Sequence, residues 1–140
     1  MSDAQPIHGR RELPLRPHAL EVLIVEDEPI LRSVIARNLR ARGHRVREAD
    51  TAARATEELL TELPDLLLLD IGLPDRTGWD VMRELRTSEL QVQTVVISAV
   101  RVSAERLAEF QPASFLPKPF PLEALLKIVE RAARKRRKQD

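Results

Sequence analysis

Residues 64–75 read Pro64-Asp65-Leu66-Leu67-Leu68-Leu69-Asp70-Ile71-Gly72-Leu73-Pro74-Asp75. Four leucines in a row, with no polar alternation, describe a strand buried on both faces, as in the middle of a parallel sheet. A carboxylate stops the run. Gly72 and Pro74 then turn the chain out of the sheet, so Asp70 is expected at its carboxyl edge, where open α/β sheets bind ligands. An aspartate that merely caps a turn would look the same at this one position. The rest of the chain decides between the two.

Upstream, Glu21-Val22-Leu23-Ile24-Val25 is a β-branched, apolar run suited to a central strand, and it ends in Glu26-Asp27-Glu28-Pro29. Pro29 suits a first helical turn, and Ile30, Leu31, Val34, Ile35 and Leu39 recur at helical spacing up to a stop at Gly43. His44 to Ala49 is short and polar, as an edge strand can be. Thr51 is placed to cap a second helix whose buried face is expected to hold Ala52, Ala55, Leu59, Leu60 and Leu63. Downstream of Asp70, the spacing of Trp79, Met82 and Leu85 predicts a third helix, with Trp79 as a packing residue. Val92 to Ile97 is a fourth strand ending in Ser98-Ala99, and Ser103 can cap a short helix burying Leu107 and Phe110. Ser114 to Pro117 reads as a final edge strand, followed by Lys118-Pro119 and a helix built on Leu122, Leu125, Leu126, Val129 and Ala133. The order βαβαβαβαβα predicts an α/β fold: a doubly wound parallel sheet of five strands with helices on both faces.

Composition narrows the chemistry. Hydrophobic residues make up 43% of the 140, but Phe, Trp and Tyr only 3%, so aliphatic side chains must form the core. With no cysteine, disulfides and thiolate metal sites are excluded. No stretch has the length of a membrane span and the N-terminus lacks the apolar core of a signal peptide, so a cytoplasmic location without membrane attachment is expected. Three prolines, three arginines and no apolar period predict a flexible extension over 1–18, a folded domain over 19–131 and a basic tail or linker over 132–140. The net charge of +1 hides an asymmetry: residues 131–140 hold six basic side chains and one acid, leaving 17 basic against 21 acidic elsewhere.

In a parallel sheet all strands end on one side. Glu26, Asp27, Asp70, Ser98 and Lys118 therefore converge on one cleft. Clustered carboxylates repel, and a hard divalent cation such as Mg²⁺ relieves that repulsion while keeping waters for a phosphate. Lys118 supplies a point charge for phosphate oxygens, Ser98 can donate to one of them, and the Asp70 carboxylate can attack phosphorus. Each residue also has a bland role: the acids favour a helix N-terminus, Ser98 turns the chain, and Lys118 is solvated.

Taken in order, Val22-Leu23-Ile24-Val25-Glu26-Asp27-Glu28, the Pro64 to Asp75 stretch, Ser98-Ala99 and Lys118-Pro119-Phe120 resemble the response-regulator receiver domains of two-component signalling, the CheY-like superfamily, over roughly residues 20–131. The resemblance implies a flavodoxin-like sheet of order 2-1-3-4-5. It implies that Asp70 accepts a phosphoryl group, with Asp27, Asp70 and the backbone carbonyl of Gly72 binding Mg²⁺ (Mn²⁺ as a substitute) and Glu26 helping through a water. Ser98 and Phe115 would be linked switch residues, Lys118 would pair with the phosphate, and the Lys118-Pro119 bond would be cis. A sensor histidine kinase or phosphotransfer protein would be the donor, and a downstream protein or an output domain outside this chain the recipient. A homodimer formed on phosphorylation is allowed, although the acids many relatives use beside the fifth strand for that contact are missing. Gly72 and Val100 stand near the positions that tune hydrolysis in the family.

The interval from Ser98 to Lys118 is shorter than the family pattern, which predicts a shortened fourth helix. The basic run at the C-terminus lacks interleaved aromatics, and direct nucleic-acid binding by this chain is not expected. The alternatives are an unphosphorylated receiver-like binding module, the receiver part of a longer DNA-binding regulator, and a metal-dependent phosphohydrolase. Gly72 stands where the last would need a second acid. The chain is expected not to be an enzyme beyond its own phosphoryl transfer and hydrolysis.

Overall fold

The computed structural model describes residues 19–139, so the extension expected over 1–18 lies outside the described residues. Five strands alternate with five helices: β1 Glu21–Val25, α1 Pro29–Ala41, β2 Arg45–Ala49, α2 Ala52–Thr61, β3 Leu66–Asp70, α3 Gly78–Thr87, β4 Gln93–Ser98, α4 Ala104–Phe110, β5 Ser114–Pro117 and α5 Leu122–Gln139. All pair in parallel, in the order β2-β1-β3-β4-β5. This is the flavodoxin-like α/β sheet, with β1 and β3 central and β2 and β5 at its edges.

Every residue of β3 is buried, because it is paired on both sides and covered above and below. Alternate side chains serve two cores. Leu66 and Leu68 join Val22, Ile24, Ile35, Leu39, Leu125 and Val129 under α1 and α5. Leu67 and Leu69 join Leu23, Val25, Ala55, Leu59, Val81 and Leu85 under α2 and α3. A third cluster, at the β4 side, gathers Ile71, Trp79, Val96 and Phe110, with Phe115 packed against it. Trp79 and Phe110 stack with centroids 5.1 Å apart.

The helix caps follow the sequence. Thr51 Oγ1 accepts from Arg54 N, Thr77 forms a capping box with Asp80, and Ser103 Oγ accepts from Arg106 N. The fourth helix is only seven residues long, as its short interval requires, and it ends on Gln111 in the left-handed conformation. The basic C-terminal residues continue α5 instead of leaving it, and Arg136 pairs with Asp65 at the foot of β3.

Helical spacing misplaced some side chains. Ile30 is 80% exposed, Leu60 62% and Leu63 39%, and Leu107 is half-buried. At about 100° per residue, Ile30 lies roughly 140° around α1 from buried Ile35, and Leu60 a similar angle from Ala55 on α2. Their apolar character does not place them on the packed face.

Candidate phosphoacceptor site

The sheet's carboxyl edge brings the acids together. At the end of β1, Glu26 N donates to Ala49 O at 3.0 Å, which holds Glu26 beside the sheet before the chain turns into α1. Asp70 is the last residue of β3, and the next amide, Ile71 N, donates to Ile97 O at 2.9 Å. One carboxylate oxygen from each of Glu26, Asp27 and Asp70 lies within 4.8 Å of the others. Glu26 is fully buried, Asp70 3% exposed, and Asp27 the most open of the three.

Lys118 reaches into this group from beyond β5. Its backbone N donates to Ser98 O at 2.8 Å, and the Lys118-Pro119 peptide is cis, as expected. The ammonium lies 2.9 Å from Asp70 Oδ2, 3.0 Å from Glu26 Oε1 and 3.5 Å from Glu28 Oε2. Burial works against the charge on Lys118, but hydrogen bonds to Asp70 and Glu26 outweigh it and hold its pKa above the ordinary value. The Glu26 pKa is raised as well, which for a carboxyl disfavours the charged form. Burial, then a carboxyl contact with Asp70, raises it to about 7, against the pull of the Glu28 N–H and of Lys118.

Ser98 ends β4 and Phe115 lies in β5, and the hydrogen bonds of the Ser98 side chain go to Val100. Ser98 Oγ donates to Val100 O at 2.8 Å and accepts from Val100 N at 3.0 Å, so both its hydrogen-bonding roles face the β4–α4 loop. Phe115 is half-buried against the Trp79 cluster. Gly72 follows β3, with its N–H donating to Asp70 Oδ1 at 2.9 Å.

The donor set is all oxygen, which suits a hard divalent cation. An orphan atom supports the fit: Glu26 Oε1 is buried with no aligned hydrogen bond among the described residues, although it is within ion-pair distance of Lys118. The acidic cluster is thus consistent with a divalent metal site.

Sequence reasoning missed two residues that hold this edge in place. Gly78 seats the first turn of α3 directly on Asp70: a Cβ there would stand 2.7 Å from Asp70 O, and Gly78 N donates to Ile71 O at 2.9 Å. A glycine where a helix begins was the available signal. Asp75 accepts from Ala52 N at 2.8 Å and Ala53 N at 2.9 Å, pinning the β3–α3 loop to the start of α2. Those amide bonds hold its carboxyl below the usual range. Its partners are more than twenty residues away, so no local pattern marks it.

The family model described as "Response regulator receiver domain" matches residues 22–130. The chain belongs to the response regulator receiver domain family. Its acidic pocket of Glu26, Asp27 and Asp70 is of the kind typical of that family's phosphoacceptor site, and the receiver is a signalling module, not a turnover enzyme. The KDP operon transcriptional regulatory protein KdpE of Escherichia coli is 48% identical over 65 residues, covering 46% of this chain and 29% of that protein. Among solved structures, the non-phosphorylated HemR receiver domain of Leptospira biflexa is 31% identical, with a TM-score of 0.74 over 81% of this receiver and 93% of that chain. The BeF3-activated N-terminal receiver domain of Klebsiella pneumoniae RstA is 28% identical, with a TM-score of 0.71 over 81% and 98%. The chain spans about a third of the length of the curated relatives it matches. No helix among the described residues is long and apolar enough to cross a membrane.

Proposed function

We propose that this receiver accepts a phosphoryl group on Asp70 from a histidine kinase or a phosphotransfer protein. The observation that carries the reading is the Asp70 carboxylate, buried at the end of β3 and 2.9 Å from the Lys118 ammonium. In the transfer an Asp70 oxygen forms a bond to phosphorus as the P–N bond of a phosphohistidine breaks, and the imidazole leaves with the electron pair and takes up a proton.

Asp27, Asp70 and the Gly72 carbonyl are the candidate ligands for Mg²⁺ or Mn²⁺, with Glu26 acting through a water; the ion would supply positive charge for the phosphoryl oxygens. Lys118 then bonds a phosphate oxygen. Ser98 leaves Val100 to donate to another, and Phe115 repacks into the space it vacates. Phosphorylation thereby shifts the population between two arrangements of the β4–β5 side, whose surface a protein partner or an output domain reads. KdpE is named a transcriptional regulatory protein, and a place in a longer regulator of that kind, possessing its own DNA-binding part, fits the partial coverage. A cytoplasmic location follows from that role.

Intact mass tests the reading. Incubation with Mg²⁺ and acetyl phosphate should add one phosphoryl group to the native protein and none to Asp70→Ala, and a chelator should abolish the gain. No gain in a folded native protein would favour the unphosphorylated binding module.

A further inference from the structure

We propose that Glu28 is a positioning residue for Lys118: it is a second seat that holds the ammonium at the rim of the pocket once a divalent cation binds at Asp27 and Asp70, with Glu26 engaged through a water. The inference rests on the phosphoacceptor reading above. Glu28 is the N-cap of α1, the place from which a polar side chain ordinarily accepts a bond from the first turn, yet its side chain makes no cap bond. It lies instead 3.5 Å from Lys118 Nζ.

The backbone of Glu28 is fixed from both sides, which sets where that side chain can reach. Its N–H donates to Glu26 Oε2 at 3.1 Å, and its carbonyl accepts from Arg32 N at 3.0 Å. Among the three acids touching Lys118, the Glu26 side chain is 0% exposed and that of Asp70 4%, while Glu28 is 61% exposed. Glu28 thus lies on the solvent side of the ammonium. A divalent cation held by Asp27 and Asp70, with Glu26 engaged through a water, would strongly repel the Lys118 ammonium seated 2.9 Å from Asp70 Oδ2. The lysine must move outward, and Glu28 waits there. By lowering the cost of that displacement, Glu28 favours cation binding while keeping Lys118 close enough to return to a phosphate.

The competing explanation is that Glu28 acts only through its charge, attracting cations and favouring the helix N-terminus. Two variants separate these. Glu28→Gln removes the charge and the ion pair; Glu28→Asp keeps the charge but is one methylene too short for the contact. Mg²⁺ binding is followed by backbone amide shifts in NMR titrations, and the phosphorylation rate with acetyl phosphate is measured at limiting and saturating Mg²⁺.

Both variants should raise the half-saturating Mg²⁺ concentration roughly twofold to fivefold, the shift a partly exposed ion pair supports, with the rate at saturating Mg²⁺ close to native. A native-like Glu28→Asp beside an impaired Glu28→Gln would overturn the proposal in favour of charge alone. Native-like behaviour of both would overturn it outright. If the native protein itself neither binds Mg²⁺ nor gains a phosphoryl group, the phosphoacceptor reading fails first.

Discussion

β3 and β5 both deliver a charged group to the same pocket, but they hold it differently. β3 is paired on both sides, all five of its residues are buried, and Asp70 is its last residue. β5 is a four-residue edge strand paired only with β4, in which only Leu116 is buried, and Lys118 lies just beyond it. The half-buried Phe115 belongs to this lighter strand, and Ser98 is the end of its one neighbour. On the proposed function, Asp70 would have to be fixed where the acids meet. On the same proposal, Ser98 and Phe115, which would respond to it, would need freedom to move.

That contrast can be broken from several sides. The largest effect is expected in the fixed strand: Leu68→Ala should lower unfolding stability by about 2–5 kcal/mol in a denaturant titration, since a fully buried leucine leaves a cavity there. Leu116→Ala in β5 should cost clearly less. Equal losses would mean that the edge strand is held as firmly as the centre.

The next effect is a pH dependence centred on the fixed acids. Glu26 ionises at about 7 when folded and at an ordinary 4.5 when unfolded. Between those values the unfolded chain has released a proton the native chain keeps, so stability should fall as pH rises from about 5 to about 7 and then level off. Denaturant midpoints across that window should decline for the native protein and stay flat for Glu26→Gln. A midpoint that rises instead would contradict the burial of this carboxyl beside Asp70.

Gly78→Ala should follow, at about 1–3 kcal/mol, because its Cβ meets the Asp70 carbonyl and α3 must shift to admit it. The same variant should slow phosphorylation by acetyl phosphate, whereas a substitution far from Asp70 with the same stability loss should not. The smallest effect belongs to the movable side. Ser103→Ala removes the α4 cap at a cost of about 1 kcal/mol, seen as faster amide hydrogen exchange confined to α4.

The same contrast explains what could be read before the structure. Leu66 to Asp70 announced itself because a strand covered on both faces leaves an uninterrupted apolar run, and a carboxylate ending that run is conspicuous. The acids after β1 and the lysine before Pro119 were legible for the same reason: each is a charged residue at a strand end, and parallel topology carries all strand ends to one edge. Orientation was not legible. That Asp75 reaches back to α2 depends on partners more than twenty residues away. Ser98 turning onto Val100 two residues on, and Ile30 and Leu60 sitting off the packed face, are instead set by local rotamer and helix angle, which apolar or hydroxyl character alone does not report. Gly78 is intermediate, since its position was visible but the carbonyl it must admit was not.

The most direct test locates the phosphoryl group. After brief incubation with Mg²⁺ and acetyl phosphate, borohydride reduces an aspartyl phosphate to homoserine, which tandem mass spectrometry can assign to a residue. Conversion at position 70 and nowhere else is the predicted result. Conversion at Asp27 or another carboxylate, with Asp70 untouched, would contradict the account.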